Sequence, residues 1–145
     1  MQIFKTNLKK TQWKRQKNSI GLIILFLSLF VQTGFGQTET LVIAIDVAPA
    51  VLNLNNKGEV VTVHTDIAYS LVKASTVVLN GVAINSWKAD DRGNFVAKFL
   101  MSEIKDLPLN IGGMNNLVLT GRTSAGTEFQ GEQEIKVIKV IPKKR

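Results

Sequence analysis

The chain has 145 residues, no cysteine and a formal charge of +7, a length suited to one domain rather than two. Six of its basic residues, Lys5, Lys9, Lys10, Lys14, Arg15 and Lys17, precede Ile20, and no acidic residue occurs before Glu39. The rest is close to neutral, twelve basic against eleven acidic residues, which leaves no electrostatic footprint for a polyphosphate and excludes nucleic acid as a partner.

Residues 1–36 read as a secretory signal peptide. The basic stretch leads into Ile20 to Val31, twelve residues without a charge, followed by Thr33-Gly34-Phe35-Gly36 with small residues where a signal peptidase inspects the chain. The apolar run is short for a membrane-spanning helix, which needs about 20 residues. Contact with a membrane is therefore expected only if the signal stays uncleaved. With no cysteine, lipid attachment at a cleavage-site Cys is excluded, as is any disulfide. Cutting before Gln37 leaves residues 37–145 as the mature domain, 109 residues, the size of one β-sandwich.

The mature chain opens on strict alternation, with Leu41, Ile43, Ile45 and Val47 on one face and Val42, Ala44 and Asp46 on the other. Pro49 interrupts this strand, since proline cannot donate to a ladder. Val51 to Leu54 is a short continuation, and Asn55-Asn56-Lys57-Gly58 turns the chain. Glu59 to Ile67 is the most regular strand, with Val61, Val63 and Ile67 on one face and Thr62, His64 and Asp66 opposite. Ala68 to Ala74 has no clear period and suits a crossing between sheets. Thr76 to Leu79 meets Asn80-Gly81, the strongest short hairpin signal, because a type I′ turn needs φ > 0 at both central residues. The expected return strand, Val82 to Lys88, carries Trp87.

Asp90-Asp91-Arg92-Gly93 is a second turn, after which Phe95, Ala97 and Phe99 alternate. Ser102 to Leu107 can form one helical turn capped by Ser102 and ended by Pro108. Asn110 to Asn116 reads as a flexible loop. Leu117 to Thr123 and Phe129 to Val140 are the last two strands, joined by Ser124-Ala125-Gly126. Gly121 and Gly131 inside them signal bulges or close backbone approach. Two edges are expected, the Pro49-interrupted first strand and the closing Glu134 to Ile141 segment. Seven or eight short strands with turn signals every 8–12 residues predict an all-β antiparallel sandwich.

The order of the motifs carries a resemblance. Asp46-Val-Ala-Pro-Ala-Val-Leu-Asn-Leu-Asn-Asn-Lys-Gly-Glu-Val-Val-Thr-Val is similar to the opening of an immunoglobulin-like accessory domain of secreted bacterial and archaeal proteins. Ser75-Thr76-Val77-Val78-Leu79-Asn80-Gly81 and Lys98-Phe99 with the Ser102 turn resemble that family's middle. Leu119-Thr-Gly-Arg-Thr-Ser-Ala-Gly-Thr-Glu-Phe-Gln-Gly-Glu resembles its end. The resemblance implies an immunoglobulin-like sandwich without chemistry of its own, usually appended to larger exported proteins.

Few residues offer chemistry. His64 is the only histidine; without a cysteine or a G-x-S-x-G elbow it completes no nucleophilic constellation and reads as a surface strand residue. Asp90 and Asp91, with Asn94, present hard oxygens that suit calcium, but not at EF-hand spacing, and hairpin turns use Asp and Gly for backbone reasons. Glu128, Glu132 and Glu134 crowd one strand, the last two on one face, without the aromatic cluster that holds a sugar ring. Trp87 reads as the buried tryptophan of a sandwich core, with a carbohydrate-stacking platform as the alternative. The terminal Lys143-Lys144-Arg145 reads as solvated charge.

No residue is thus assigned a catalytic, cofactor-binding or metal role. The expectation is a non-enzymatic module exported to periplasm, cell surface or medium, working by contact with a protein or the cell envelope. A carbohydrate-binding module using Trp87 is the alternative. The signal reading makes a first prediction: the intact mass of the exported protein corresponds to a chain beginning at Gln37, whereas a mass that includes Met1 to Gly36 would make the domain membrane-anchored.

Overall fold

The computed structural model describes residues 39–141. The expected signal peptide, its boundary at Gly36/Gln37 and the basic end Lys143-Lys144-Arg145 lie outside those residues. Ten strands follow one another: β1 (Leu41–Val42), β2 (Ile45–Ala48), β3 (Val51–Asn53), β4 (Val60–Ala68), β5 (Val72–Leu79), β6 (Val82–Ala83), β7 (Ser86–Ala89), β8 (Asn94–Leu100), β9 (Met114–Thr123) and β10 (Glu128–Ile138). A single 3-10 turn, Tyr69–Leu71, precedes β5, and a short helix α1 (Met101–Lys105) follows β8. The protein is all-β and its strands form two sheets. One runs β2-β4-β8-β7, antiparallel throughout; the other runs β10-β9-β5-β6, with β1 and β3 both parallel to β10 on its remaining flank.

The alternation read from the sequence decides which side of each strand is buried. In β4, Val61, Val63, Thr65 and Ile67 face inward, and His64 and Asp66 face solvent. Phe95, Ala97 and Phe99 of β8 meet Leu117 and Leu119 of β9 and Phe129, Ile135 and Val137 of β10 in one core. Each large side chain buried in this way stabilises the fold by about 1.5–3 kcal/mol. The polar group at Thr65 is matched, its hydroxyl donating to the Phe95 carbonyl at 2.7 Å. Tyr69 lies against the Phe95 ring, with centroids 6.1 Å apart.

The first strand divides itself between the sheets. Ile43 N–H donates to the Gln130 carbonyl, holding β1 on β10. The chain then moves to β4 as β2, passes the cis Ala48–Pro49 bond, and returns to β10 as β3. Two inward positions of β10 make room for this detour. A Cβ at Gly131 would stand 2.8 Å from the Ile43 carbonyl oxygen and 2.6 Å from Ile45 Cγ2. Gln133, two residues on, accepts the Val47 N–H on Oε1 at 2.6 Å, so the outward amide of β2 is bonded across the gap between the sheets.

The Asn80-Gly81 turn forms as the residue pair demands, with φ of 46° and 85°. The Asn80 side chain also extends the ladder to β9, accepting the Val118 N–H at 2.7 Å and donating to the Asn116 carbonyl at 3.1 Å. Between Lys73 and Val78 the β5–β9 register shifts. Thr76 stitches this bulge, accepting the Arg122 N–H at 2.8 Å and donating to the Lys73 carbonyl at 2.7 Å. Gly121 lies opposite, where a Cβ would be 2.5 Å from the Phe129 ring. Close approach is thus the reason for both strand glycines.

Several expectations need correction. Val82 to Lys88 is not one strand: β6 pairs with β5 in one sheet and β7 with β8 in the other, the switch falling at Ile84-Asn85. Trp87 is not a core residue. Its register opposite Ala97 puts it on the core side, but on the outermost strand, where 46% of it stays exposed; three phenylalanines fill the core instead. The closing strand is no edge, because β9 covers one flank of β10 and β1 and β3 the other. Ser102 lies inside α1 and caps nothing, the N-cap position being Leu100. The Asn110 to Asn116 stretch is also more tied than its glycines suggest: Met114 already belongs to β9, and the Asn115 side chain bonds Asn110 and Gly113.

The crossing at Gly131 yields a prediction. Gly131→Ala places a methyl against the carbonyl of Ile43, a residue whose N–H is bonded to β10, so it costs about 1–3 kcal/mol through overpacking. Chemical denaturation reads this as a lower midpoint at unchanged slope; an unchanged midpoint would mean that the first strand does not cross at this residue.

Candidate functional site

Among the described residues an open trough of about 460 Å³ lies on the outer face of the four-stranded sheet. The ladder registers Asp46, His64, Val96 and Lys88 side by side across β2, β4, β8 and β7. Asp66 lies one step along β4, and the β7–β8 turn contributes Asp90, Arg92 and Asn94. The only histidine is therefore among carboxylates, which its isolated place in the sequence did not suggest. Two of those carboxylates already have backbone partners. Asp66 Oδ1 accepts the Ala44 N–H at 2.9 Å. Asp90 Oδ1 accepts the N–H groups of Asn94 at 2.8 Å and Arg92 at 2.9 Å. The bond from Asn94 holds the Asp90 carboxyl below the ordinary aspartate value of 3.8; desolvation opposes it, and the bond from Arg92 adds to the lowering. Among the described residues no three His, Asp or Glu side chains are grouped to hold a metal ion. Asp91 is exposed at the tip of the turn.

The glutamates of β10 are spread over the outer face of the other sheet. Glu128 accepts from Arg122 Nη2 at 2.6 Å in an exposed ion pair, worth at most about 1 kcal/mol. Glu132 accepts from Asn116 Nδ2 at 3.0 Å, and Glu134 is exposed. Neither faces a cavity that excludes water, the setting that paired-carboxylate catalysis needs.

A second concavity has a different character. Leu41, Val42 and Leu71 line an apolar groove of about 530 Å³ with Glu39, Thr40 and the Thr123–Thr127 turn between β9 and β10. Val42 is 83% exposed and Leu71 52%. β1 forms the edge of its sheet here, so its backbone and two apolar side chains are presented together. The sequence reading passed over these residues. The available signal was Leu41-Val42 itself, an alternating strand that starts apolar on both faces, together with a leucine in the stretch without a period.

The chain matches no family model, no curated protein and no solved structure.

The Asp90 turn supplies a pH prediction. A carboxylate whose folded value is depressed adds stability above its unfolded value and loses it as pH falls through the folded one. Asp90→Ala therefore destabilises the domain at neutral pH, and the gap to the parent narrows as pH falls through the depressed folded value of this carboxyl. Denaturation midpoints of both proteins across that range check it; a gap independent of pH would assign the loss to packing alone.

Proposed function

We propose that this protein is an exported, immunoglobulin-like module that acts by surface contact with a protein or the cell envelope, not by catalysis. Strand order supports the immunoglobulin-like part. The succession β2-β4-β8-β7 against β10-β9-β5 corresponds to the A-B-E-D and G-F-C sheets of that architecture, with β6 as an added strand beside C. The basic stretch, apolar run and small residues of the first 36 positions support export.

The observation that carries the contact reading is the groove at β1, where Leu41, Val42 and Leu71 stand exposed beside a strand edge. Exposed apolar side chains next to unpaired backbone groups suit the addition of a partner's strand: the ladder supplies affinity, and the groove takes alternate side chains. A second reading, carbohydrate binding, draws on Trp87, whose half-exposed ring is open to stacking.

A photoreactive group at Leu71, in the cells that make the protein, is expected to cross-link one discrete partner, whereas the same group at Glu134 does not. Val42→Asp with Leu71→Asp removes that product at an unchanged melting temperature. Loss of glycan retention in Trp87→Ala with the cross-link absent would favour the second reading. Turnover of a glycan, ester or peptide that collapses in His64→Ala, Glu132→Ala or Glu134→Ala, each still folded, would end both.

A further inference from the structure

At the opposite end of the sandwich half of the exposed large hydrophobic residues gather around the last turn of β10: Val51, Ile111, Met114, Val140 and Ile141. The backbone brings them together. Lys136 of β10 pairs with Val51 of β3 on one side and with Met114 of β9 on the other. Val137 exchanges bonds with Gly112 and Gly113, which sets Ile111 beside it. Asn53 grips Val140 from both directions, donating to its carbonyl at 2.8 Å and accepting its N–H at 3.1 Å. The strand direction is thereby kept beyond β10, and Ile141 projects at 82% exposure.

Along the end of β10 the charge is basic. Lys136 and Lys139 lie among these apolar groups, and Lys143, Lys144 and Arg145 follow in the sequence; the acidic residue nearest them on the strand is Glu134. The remaining acidic groups of this end, Glu59, Glu103 and Asp106, belong to α1 and its flank and to the approach to β4, not to β10.

We infer that this end, Lys136 to Ile141 with Val51, Ile111 and Met114, docks on an anionic lipid surface, the apolar side chains entering the headgroup boundary and the lysines pairing with lipid phosphates. The inference rests on the contact reading and supplies its envelope side. Protruding apolar groups interleaved with lysine suit a fluid interface, which needs no complementary shape, better than a protein pocket, which does. The basic residues add affinity that depends on anionic lipid and fades with salt.

The chain has no cysteine, so one introduced at position 141 is a unique attachment point. The full-length protein with Ile141→Cys, carrying an environment-sensitive dye, is mixed with vesicles of phosphatidylglycerol or of phosphatidylcholine. The expected result is a blue shift of the dye on phosphatidylglycerol alone, reversed by high salt. Lys136→Gln with Lys139→Gln, and separately Val140→Ser with Met114→Ser, lower the shifted fraction several-fold at equal melting temperature. Because the dye reports its own surroundings, attachment of the chain through Ile20 to Val31 does not imitate this signal; a dye at Leu71→Cys is the control and stays aqueous. A dye at position 141 that stays aqueous on both vesicles overturns the inference, and does so alone if the Leu71 cross-link persists. A shift on both lipids alike, or a shift indifferent to the apolar pair and abolished by soluble polyglutamate, overturns it as well, the latter in favour of an acidic polymer.

Discussion

The sandwich depends on how the inner flank of β10 is closed. A strand at that position has one row of N–H and C=O groups with no partner from β9, and those groups cannot be left dry. The chain covers them with its own beginning: β1 at the start of β10, β3 at its end, and between them β2, which leaves to pair with β4. Gly131 and Gln133 make the departure possible, one by having no side chain where the Ile43 carbonyl passes, the other by returning an acceptor to Val47. The inward row of β10, Phe129-Gly131-Gln133-Ile135-Val137, is apolar at both ends and not in the middle for this reason.

That closure decides where the molecule can be approached. By strand order the free flanks among the described residues are those of β1 and β3 beside β10, of β2, of the short β6 and of the outermost β7. β7 defends itself by being four residues long with Lys88 on its outer face. The two ends of the sandwich then differ in chemistry. Near β1 lie an apolar groove and, across the adjoining sheet, the carboxylates around His64. At the far end of β10, apolar groups are mixed with lysine.

Much of this fold was legible in the sequence where a side-chain requirement is local. The alternation of β4, the φ > 0 pair Asn80-Gly81, the turn at Gly93 and the two close-packed strand glycines each follow from the residues alone. What stayed illegible is the assignment of strands to sheets. A chain that changes sheet without leaving extended conformation keeps its period of two, so Val82 to Lys88 read as one strand although it serves two. The error at Trp87 has the same origin: the residue keeps the inward phase, but only the strand order reveals that no further strand covers it. His64 was placed on the correct face, yet its neighbours Asp46 and Asp90 lie 18 and 26 residues away and meet it through the register of β2, β4 and β8. No spacing rule reports a pairing of that kind.

The polar residues explain why surface contact is the reading that fits. Asn53, Thr76, Asn80, Asp90, Asn115 and Gln133 all direct a side chain at the backbone, where each replaces a ladder bond at a bulge, a turn or a crossing. A sandwich whose first strand changes sheet twice leaves many such vacancies, and this chain fills them with amides, a hydroxyl and a carboxylate. Groups committed in this way are poorly placed for chemistry, since a catalytic side chain must exchange its partner for substrate. Most of the exposed large apolar side chains, by contrast, stand at the two ends of the sandwich. Burying apolar surface is the favourable term in most association, and apart from Trp87 on β7 that term is concentrated at the ends.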